Sequence, residues 1–255
     1  MQKITTDLPI FVLNLLRSKE RKIAIENAFK KKNLTCTFIE AVEGNLLTEE
    51  EILKSVNKPI IYNNYGREIT KGEIGCALSH RKVYKKMVSE NIKHAIVLED
   101  DIILKDNFLD GYKMLSGLSL KNIIIKIDPS VEEKGSFSLF GKIKCKNFIL
   151  KKNVFDTWCA AAYYIDIEAA KKILTHFPLV EVLADHWILL SKKSKLRSCV
   201  QTLTDFNLDH DSTLEDDRKK TVAEKYQKKI SFFGRCMKKI KHVYKKWTGF
   251  ISPFN

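Results

Sequence analysis

The amino-acid sequence predicts an α/β fold in which helices flank a largely parallel central sheet. Short apolar runs at 10–15, 95–98 and 122–127 are typical of strands that are buried on both faces of such a sheet. Amphipathic segments alternate with these runs, which is the order expected for helices layered on a sheet. The chain has 255 residues, of which 44% are hydrophobic, so it is long enough for one large domain. No run of 18 apolar residues occurs, and we expect no transmembrane helix.

The first quarter of the chain predicts two strands and two helix starts. Residues 10–15 and 35–39 form the predicted strands, and the charged segment 17–32 between them predicts a helix that packs on the sheet. Thr48 and Glu51 have the spacing of a capping box, which predicts a helix start.

A loop and a long helix are predicted next. Residues 57–69 contain Pro, Asn and Gly and predict a loop. Thr70 and Glu73 form a second capping box before 73–90, whose apolar residues have helical spacing.

Three further buried strands are predicted, at 95–98, 122–127 and 158–165. Asp166 follows the third of these strands and precedes alanines and aliphatic residues with helical spacing. This order predicts that Asp166 caps a helix.

Positive charge is concentrated near the end of the sequence. The net charge is +14, and the segment 218–246 alone carries 12 basic residues and one acid, or +11, which leaves +3 elsewhere. We therefore predict a nearly neutral domain at 1–218 and a basic tail at 219–255. Apolar residues at positions 240, 243, 244 and 247 give the tail an amphipathic helical spacing, typical of membrane-surface helices. A basic helix that docks on its own domain or on a partner is the alternative.

Six cysteines are scattered through the sequence, with no close pair of the kind that ligates a metal. The N-terminal segment has no cleavage site and predicts a strand instead of a signal peptide. We therefore expect reduced thiols and a cytoplasmic protein.

Three consecutive carboxylates follow the strand at 95–98. Glu99, Asp100 and Asp101 repel one another and supply the hard oxygen ligands that Mg²⁺ and Mn²⁺ prefer. Ligands of open α/β sheets bind beyond the carboxyl ends of the strands. The triplet therefore predicts a divalent cation that holds a phosphorylated substrate, and a solvated acidic turn is the alternative.

Two other clusters pair an acid with a histidine. Glu73, Cys76 and His80 share one face of the predicted helix, where they can bind ligand hydroxyls or support a loop. A buried histidine that is satisfied by a carboxylate is the alternative. Asp185 can act as a general base and His186 as a metal ligand, or Asp185 can simply cap a helix.

A polar stretch at 211–218 precedes the tail. Its small residues, including Ser212, together with Arg218 can close over a diphosphate, and a solvated charged loop is the alternative. The sequence contains no Gly-rich phosphate loop, no Gly-x-Ser-x-Gly and no His-Glu-x-x-His. These absences count against the P-loop NTPase, dehydrogenase, serine hydrolase and zincin classes.

Taken in order, these segments resemble family 25 glycosyltransferases, the group that contains bacterial lipooligosaccharide galactosyltransferases. The resemblance covers most of 9–218. Its segments are IFVLNLLRSKERK, GEIGCALSH, AIVLEDDI, NIIIKID, WCAAAYYIDIEAAKKIL, DHW and STLEDDR. Cys159 and Ala162 replace glycines of the fifth segment, and their extra volume can narrow the substrate site.

The resemblance implies a GT-A-like fold and transfer of a sugar, with galactose from UDP-galactose as the first expectation. It implies Mn²⁺ or Mg²⁺, with Asp101 as the main ligand and with Glu99, Asp100 and His186 as further ligands. Asp185 is the expected base for the acceptor hydroxyl. The expected acceptor is a lipid-linked lipopolysaccharide core glycan, and the expected location is the inner face of a bacterial inner membrane. The residues expected to contact the donor are Asn14, Arg21, Glu73, Ser79, His80, Lys126, Ser212 and Arg218.

Three alternatives stay open from the sequence. A metal-dependent phosphoryl-transfer enzyme or phosphatase would use the same acidic triplet. A nucleic-acid-binding protein would use the basic tail, although the tail contains no known reading module. A catalytically inactive relative is the third alternative, and the retained acidic triplet argues against it.

Overall fold

The computed structural model of this chain describes residues 8–128, 143–145, 148–152, 158–200 and 202–206. The strands within this part of the chain are β1 (Ile10–Asn14), β2 (Thr37–Glu40), β3 (His94–Glu99), β4 (Ile102–Leu104), β5 (Ile123–Lys126), β6 (Ile143–Cys145), β7 (Phe148–Lys152), β8 (Ala162–Asp166), β9 (Arg197–Val200) and β10 (Thr204–Phe206).

The described helices are shorter than 20 residues and lie between the strands. They are α1 (Lys19–Lys31), α2 (Glu49–Ser55), α3 (Lys58–Tyr65), α4 (Lys71–Ser89), α5 (Phe108–Ser116), α6 (Ile167–His176) and α7 (Trp187–Ser194), with a 3₁₀ turn at Gly44–Leu46. No helix of the described ranges is both long enough and apolar enough to cross a bilayer.

Eight of the described strands form one sheet in the order β2-β1-β3-β8-β5-β9-β7-β6, and β10 pairs with β4 in a separate ribbon. β1 is parallel to β2 and β3, and β5 is parallel to β9. β8 is antiparallel to both of its neighbours, and so is β7. Only β7 and β8 therefore run against the common direction of the sheet, which confirms the predicted α/β class with a largely parallel sheet.

Helices cover both faces of the sheet. On β1, Ile10 and Val12 belong to a core shared with α1 and α5, whereas Phe11 and Leu13 belong to a core shared with α4, α6 and α7. Successive side chains of a strand point to opposite faces, so both sets are buried. This double burial explains why the strands appear in the sequence as continuous apolar runs.

The local capping signals are confirmed. Thr48 and Thr70 each form a complete capping box at the start of α2 and α4. Asp166 accepts hydrogen bonds from the backbone N–H groups of Glu168 and Ala169 at the start of α6. These contacts span three residues or fewer, which is why the sequence alone reveals them.

The predicted loop at 57–69 is wrong, because α3 lies within it. Asn57 caps the helix through its side chain, Pro59 lies in the first turn, and Gly66 ends the helix with a φ of 63°. Proline is favoured in the first turn of a helix and glycine just beyond its end. The residues that suggested a loop are therefore the two ends of a short helix.

The predicted strand at 158–165 begins later than expected, since β8 starts at Ala162 and residues 158–161 are not part of a strand. The sequence analysis did not predict α5 or the ribbon of β4 and β10, and it predicted a helix near α7 only as the alternative reading of Asp185. The predicted tail at 219–255 lies outside the described residues, so the division at 218 stays a prediction.

Candidate active site

The carboxyl end of the parallel strands is the site of the predicted chemistry. β1 and β3 are parallel neighbours, with Leu13 beside Glu99 in register. β8 runs the other way, so its first residue, Ala162, lies beside Leu98 at the same edge. Lys126 ends β5 beside Tyr163 of β8. Residues that are far apart in the sequence, from β1, β3, β5 and β8, therefore lie close together at one edge of the sheet.

The side chains of the acidic triplet point in two different directions. Asp100 faces β1 and α1, where Asn14 Nδ2 donates to its Oδ2 at 2.6 Å and Arg21 Nη1 donates to its Oδ1 at 3.3 Å. Asp101 Oδ2 lies 3.8 Å from the same Arg21 nitrogen. Glu99 instead faces α4, where its Oε1 lies 3.2 Å from His80 Nε2.

Asp101 is the most strongly perturbed acid of the site. Burial raises its pKa to about 7, and the negative charges of Glu99 and Asp100 add to this effect, while Arg21 opposes it. Three acids thus share an edge at which their negative charge is incompletely balanced. Hard oxygen donors with uncompensated charge fit the predicted Mn²⁺ or Mg²⁺, and Asp100 and Asp101 are the residues that would hold it.

His80 is held rigidly behind Glu99. Its Nδ1 lies 2.8 Å from the hydroxyl of Tyr163, which donates in turn to the hydroxyl of Tyr84 at 3.0 Å. Cys76 also faces Glu99, with its Sγ 3.8 Å from Oε1. Cys76 and His80 therefore share a helical face as predicted, and that face meets the acidic triplet.

Glu73 and Ser79 bind other parts of the protein. Glu73 is buried and forms a two-point ion pair with Arg67, at 2.7 and 2.8 Å, in addition to its capping role. Ser79 Oγ donates to the carbonyl of Gly75 at 2.7 Å and accepts from the backbone N–H of Val42 at 2.8 Å. Their predicted contact with the donor stays a prediction, and the bonds observed here attach α4 to its neighbouring loops.

Lys126 is fully buried at the end of β5. Its Nζ donates to the carbonyl of Trp158 at 3.0 Å and lies 3.7 Å from Asp128 Oδ2. Burial lowers the pKa of Lys126, and the negative charges of Asp128 and Asp185 oppose that shift. The sequence reasoning missed Asp128, although its place directly after a buried strand is the signal that identified Glu99.

Asp185 and His186 precede α7. Asp185 is buried, and the N-cap residue of α7 is His186. The alternative in which Asp185 caps the helix is therefore wrong by one residue. The His186 ring stacks on Trp158 with centroids 4.5 Å apart, and its Nδ1 lies 2.9 Å from the Tyr65 hydroxyl. Among the described residues, His186 does not join the acidic triplet in a group of three converging ligand atoms. Its predicted metal contact stays a prediction.

Cys159 lies in the segment just before β8. Its φ is 98°, a left-handed conformation that favours glycine. Its carbonyl accepts from Trp187 Nε1 at 2.7 Å. The glycine that the resemblance places here thus has a conformational reason, and this chain keeps the strained turn with a larger side chain. Ser212 and Arg218 lie outside the described residues.

The fold and the site together define a class of protein: an α/β protein with carboxylates clustered at the ends of its parallel strands. The chain belongs to the family described as glycosyltransferase family 25 (LPS biosynthesis protein), whose sequence model matches residues 7–188. The resemblance inferred from the motifs is therefore confirmed at the level of the family, while the bacterial lipopolysaccharide type stays a prediction.

Several known proteins are similar to this chain. A procollagen lysyl hydroxylase and glycosyltransferase of Acanthamoeba polyphaga mimivirus is 31% identical over 64% of this chain and 19% of its own length. Human procollagen galactosyltransferase 2 is 32% identical over 39% of this chain and 16% of its own length. A probable inactive glycosyltransferase 25 family member 3 of Rattus norvegicus is 31% identical over 39% of this chain and 18% of its own length. The chain thus spans less than a fifth of the length of these relatives.

Among solved structures, a glycosyltransferase involved in glycosylation of the major capsid of PBCV-1 aligns with a TM-score of 0.40. The alignment has 11% identity and covers 83% of this chain and 98% of the other.

Proposed function

We propose that this chain is an active glycosyltransferase that uses a UDP-sugar, with galactose as the first expectation, and Mn²⁺ or Mg²⁺. The observation that supports the proposal most directly is the carboxylate cluster at the end of β3, where the pKa of Asp101 is raised to about 7. Family membership supports sugar transfer, and relatives named galactosyltransferases support the choice of sugar.

The donor side of the site lies between β1, β3 and α1. When bound, the cation supplies Lewis-acid stabilisation for the negative charge of the departing diphosphate. Asp100 and Asp101 hold that cation. Asn14 and Arg21 fix the Asp100 carboxylate through the bonds at 2.6 and 3.3 Å. His80, Lys126, Ser212 and Arg218 complete the proposed donor contacts.

The acceptor side lies near Lys126 and the start of α7. Asp185 is the proposed general base, which takes the proton of the acceptor hydroxyl as its oxygen attacks the sugar. It is on a different element from the acidic triplet, and its charge acts on Lys126. The stacked rings of Trp158 and His186 lie beside it along the chain and offer a flat surface against which a sugar can lie.

The proposed acceptor is a lipid-linked lipopolysaccharide or lipooligosaccharide core glycan, in line with the description of the family. The enzyme would then work in the cytoplasm at the inner face of a bacterial inner membrane, with the basic segment 219–255 on the anionic lipid.

A screen of sugar nucleotides tests the proposal. The full chain is incubated with UDP-galactose, UDP-glucose, UDP-N-acetylglucosamine and GDP-mannose, with Mn²⁺ or with chelator, and release of the nucleoside diphosphate is measured. We expect Mn²⁺-dependent release of UDP, fastest from UDP-galactose. Cleavage of the diphosphate to UMP and a sugar 1-phosphate would instead identify a phosphoryl-transfer enzyme. No cleavage of any donor, with or without an acceptor glycan, would identify an inactive relative.

Two matched variants locate the metal site. Asp101→Asn removes a proposed ligand charge and should lower Mn²⁺-dependent turnover about 100-fold or more. Asp106→Asn makes the same chemical change at an exposed position and should keep normal turnover. Near-normal turnover of folded Asp101→Asn would refute the metal assignment.

A second arm of the screen tests the acceptor. Lipopolysaccharide core oligosaccharide and a procollagen peptide are offered in parallel with the preferred donor. Transfer to the core glycan supports the proposed acceptor, whereas transfer to the peptide alone contradicts it and leaves the donor assignment intact.

A further inference from the structure

We propose that Cys76, His80 and Glu99 form a second metal site, which binds a thiophilic divalent cation such as Zn²⁺. This site is separate from the oxygen ligands Asp100 and Asp101, and it does not depend on the sugar-transfer function proposed above.

The spacing of the three ligand atoms fits a tetrahedral ion. Zn²⁺ lies about 2.3 Å from a thiolate and about 2.0–2.2 Å from nitrogen or carboxylate ligands, so the ligand atoms of a tetrahedral site lie roughly 3.3–3.6 Å apart. Here His80 Nε2 lies 3.2 Å and Cys76 Sγ lies 3.8 Å from Glu99 Oε1. All three atoms lie within 4.8 Å of one another.

The helix places two of the ligands correctly. Cys76 and His80 are four residues apart on α4, so both project from one helical face. The same spacing brings two histidines to one zinc ion in helical zinc motifs. Glu99 supplies the third ligand from the end of β3, against which this face packs.

The second nitrogen of His80 is held as a metal-binding histidine requires. Ligating histidines characteristically use their other ring nitrogen in a hydrogen bond that fixes the orientation of the ring. The hydroxyl of Tyr163 lies 2.8 Å from His80 Nδ1 and holds that side of the ring. Nε2 is therefore the ring nitrogen that faces Glu99, at 3.2 Å from its Oε1.

The site has an open side. The Glu99 side chain is 28% exposed, and Cys76 is also partly exposed, while His80 is buried. Three protein ligands with a fourth position left for water are the arrangement of catalytic zinc sites. The sulfur, nitrogen and oxygen donors of this set favour Zn²⁺, whereas the oxygen donors of Asp100 and Asp101 favour Mn²⁺ or Mg²⁺.

Cobalt spectroscopy tests the site without any transfer assay. The full chain is stripped with chelator and titrated with Co²⁺, which takes zinc sites and reports a thiolate ligand through a near-ultraviolet charge-transfer band. We expect one saturable site with this band and with the strong visible absorption of four-coordinate cobalt, and we expect Zn²⁺ to displace it. A wild-type protein without the band would overturn the proposal.

Matched variants assign the ligands. Cys76→Ser should abolish the band, and Cys36→Ser, at another partly exposed cysteine, should keep it. A band that survives in Cys76→Ser belongs to a different thiol and would also overturn the proposal. Asp101→Asn should keep the band, because Asp101 belongs to the proposed Mn²⁺ or Mg²⁺ site. Loss of that site and loss of the proposed Zn²⁺ site therefore give different results.

Substitution of Tyr163, whose hydroxyl is bonded to His80 Nδ1, tests the site independently. Tyr163→Phe keeps the buried ring but removes the hydroxyl, and it should weaken Co²⁺ binding about 10–100-fold. Tyr84→Phe leaves the bond between Tyr163 and His80 in place and should bind Co²⁺ like the wild type. Equal affinity in the two variants would show that His80 is not a ligand.

Discussion

Single residues at the end of β3 decide the electrostatics of the site. Asp100 accepts hydrogen bonds from Asn14 and Arg21. Asp101 instead lies 3.8 Å from Arg21, too far for a hydrogen bond, and it is repelled by the charges of Glu99 and Asp100. Adjacent carboxylates of one triplet thus differ in what compensates their charge. The burial and repulsion at Asp101 predict that its protonation depends on the solution pH.

The raised pKa of Asp101 predicts a pH-dependent stability in the metal-free protein. Its pKa is about 7 in the folded chain and 3.8 in an ordinary carboxyl group. Between these values the folded state keeps a proton that the unfolded state has lost, so the free energy of unfolding should fall as the pH rises from about 4 to about 7, by at most about 1.4 kcal/mol per pH unit.

Denaturant unfolding in chelator checks this prediction. The difference in the free energy of unfolding between wild type and Asp101→Asn should change between about pH 4 and about pH 7 and become constant above about pH 7. Asp106→Asn makes the same chemical change at an exposed position and is the matched control. A difference between wild type and Asp101→Asn that does not vary with pH would contradict the raised pKa.

Asp185 should affect the chemical step and leave donor binding intact. Asp185→Asn removes the proposed base and should lower kcat about 10²–10⁴-fold. UDP affinity, measured by calorimetry with Mn²⁺, should stay close to that of the wild type. Loss of UDP or Mn²⁺ binding would instead place Asp185 in the donor site.

At the scale of elements, α4 connects the site to the rest of the fold. Its first turn is fixed by the capping box of Thr70 and Glu73 and by the ion pair with Arg67. Ser79 bonds to the loop after β2, and His80 reaches Glu99. The orientation of the site residues on this helix therefore depends on how closely the helix approaches that loop.

Gly75→Ala should destabilise the protein because α4 passes very close to the loop after β2. A Cβ at Gly75 would lie 2.6 Å from the carbonyl oxygen of Val42 and 2.7 Å from the amide nitrogen of Gly44, both of them backbone atoms. Overpacking of this kind costs about 1–3 kcal/mol, which exceeds the helix propensity that alanine gains, about 1 kcal/mol.

Thermal unfolding compares this variant with a matched one. Gly117→Ala adds the same methyl group at the end of α5, where the nearest atom lies 3.6 Å away and φ is −87°. It should stay within about 0.5 kcal/mol of the wild type. Equal melting temperatures for the two variants would show that the loop yields easily at Gly75.

At the scale of the whole molecule, the charge distribution predicts where the protein is located. The segment 218–246 carries +11 of the net +14 and interleaves aromatic residues with its lysines. We propose that the tail binds an anionic membrane, where each basic residue contributes about 1 kcal/mol.

Lysine substitutions in the full chain test the tail. The tail variant replaces five lysines with glutamine, at positions 238, 239, 241, 245 and 246. The control makes the same change at five exposed lysines of the described domain, at positions 30, 31, 85, 192 and 195.

Cosedimentation with vesicles that contain anionic lipid should fall sharply for the tail variant and little for the control. Binding of the wild type should also weaken as salt rises, because salt screens the charges. Equal losses in both variants would show that only net charge matters. A wild type that ignores the vesicles at low salt would refute the membrane proposal.

The sequence by itself determined the features that depend on near neighbours along the chain. The capping boxes at Thr48 and Thr70 and the cap at Asp166 join groups two or three residues apart. The buried strands follow from their apolar runs, and Glu99, Asp100 and Asp101 follow from their place after one of them. Residues 57–69 show the limit, because proline, asparagine and glycine mark the ends of a short helix as well as a loop.

Only the tertiary structure decided which side chains meet across the sheet. Glu99 turns to His80 while its neighbour Asp100 turns to Arg21, a division that three consecutive acids cannot reveal. His80 and Tyr163 are 83 residues apart, and their bond exists because α4 packs on β8. Such contacts depend on how helices and strands pack together in three dimensions, and no local spacing in the sequence records that packing.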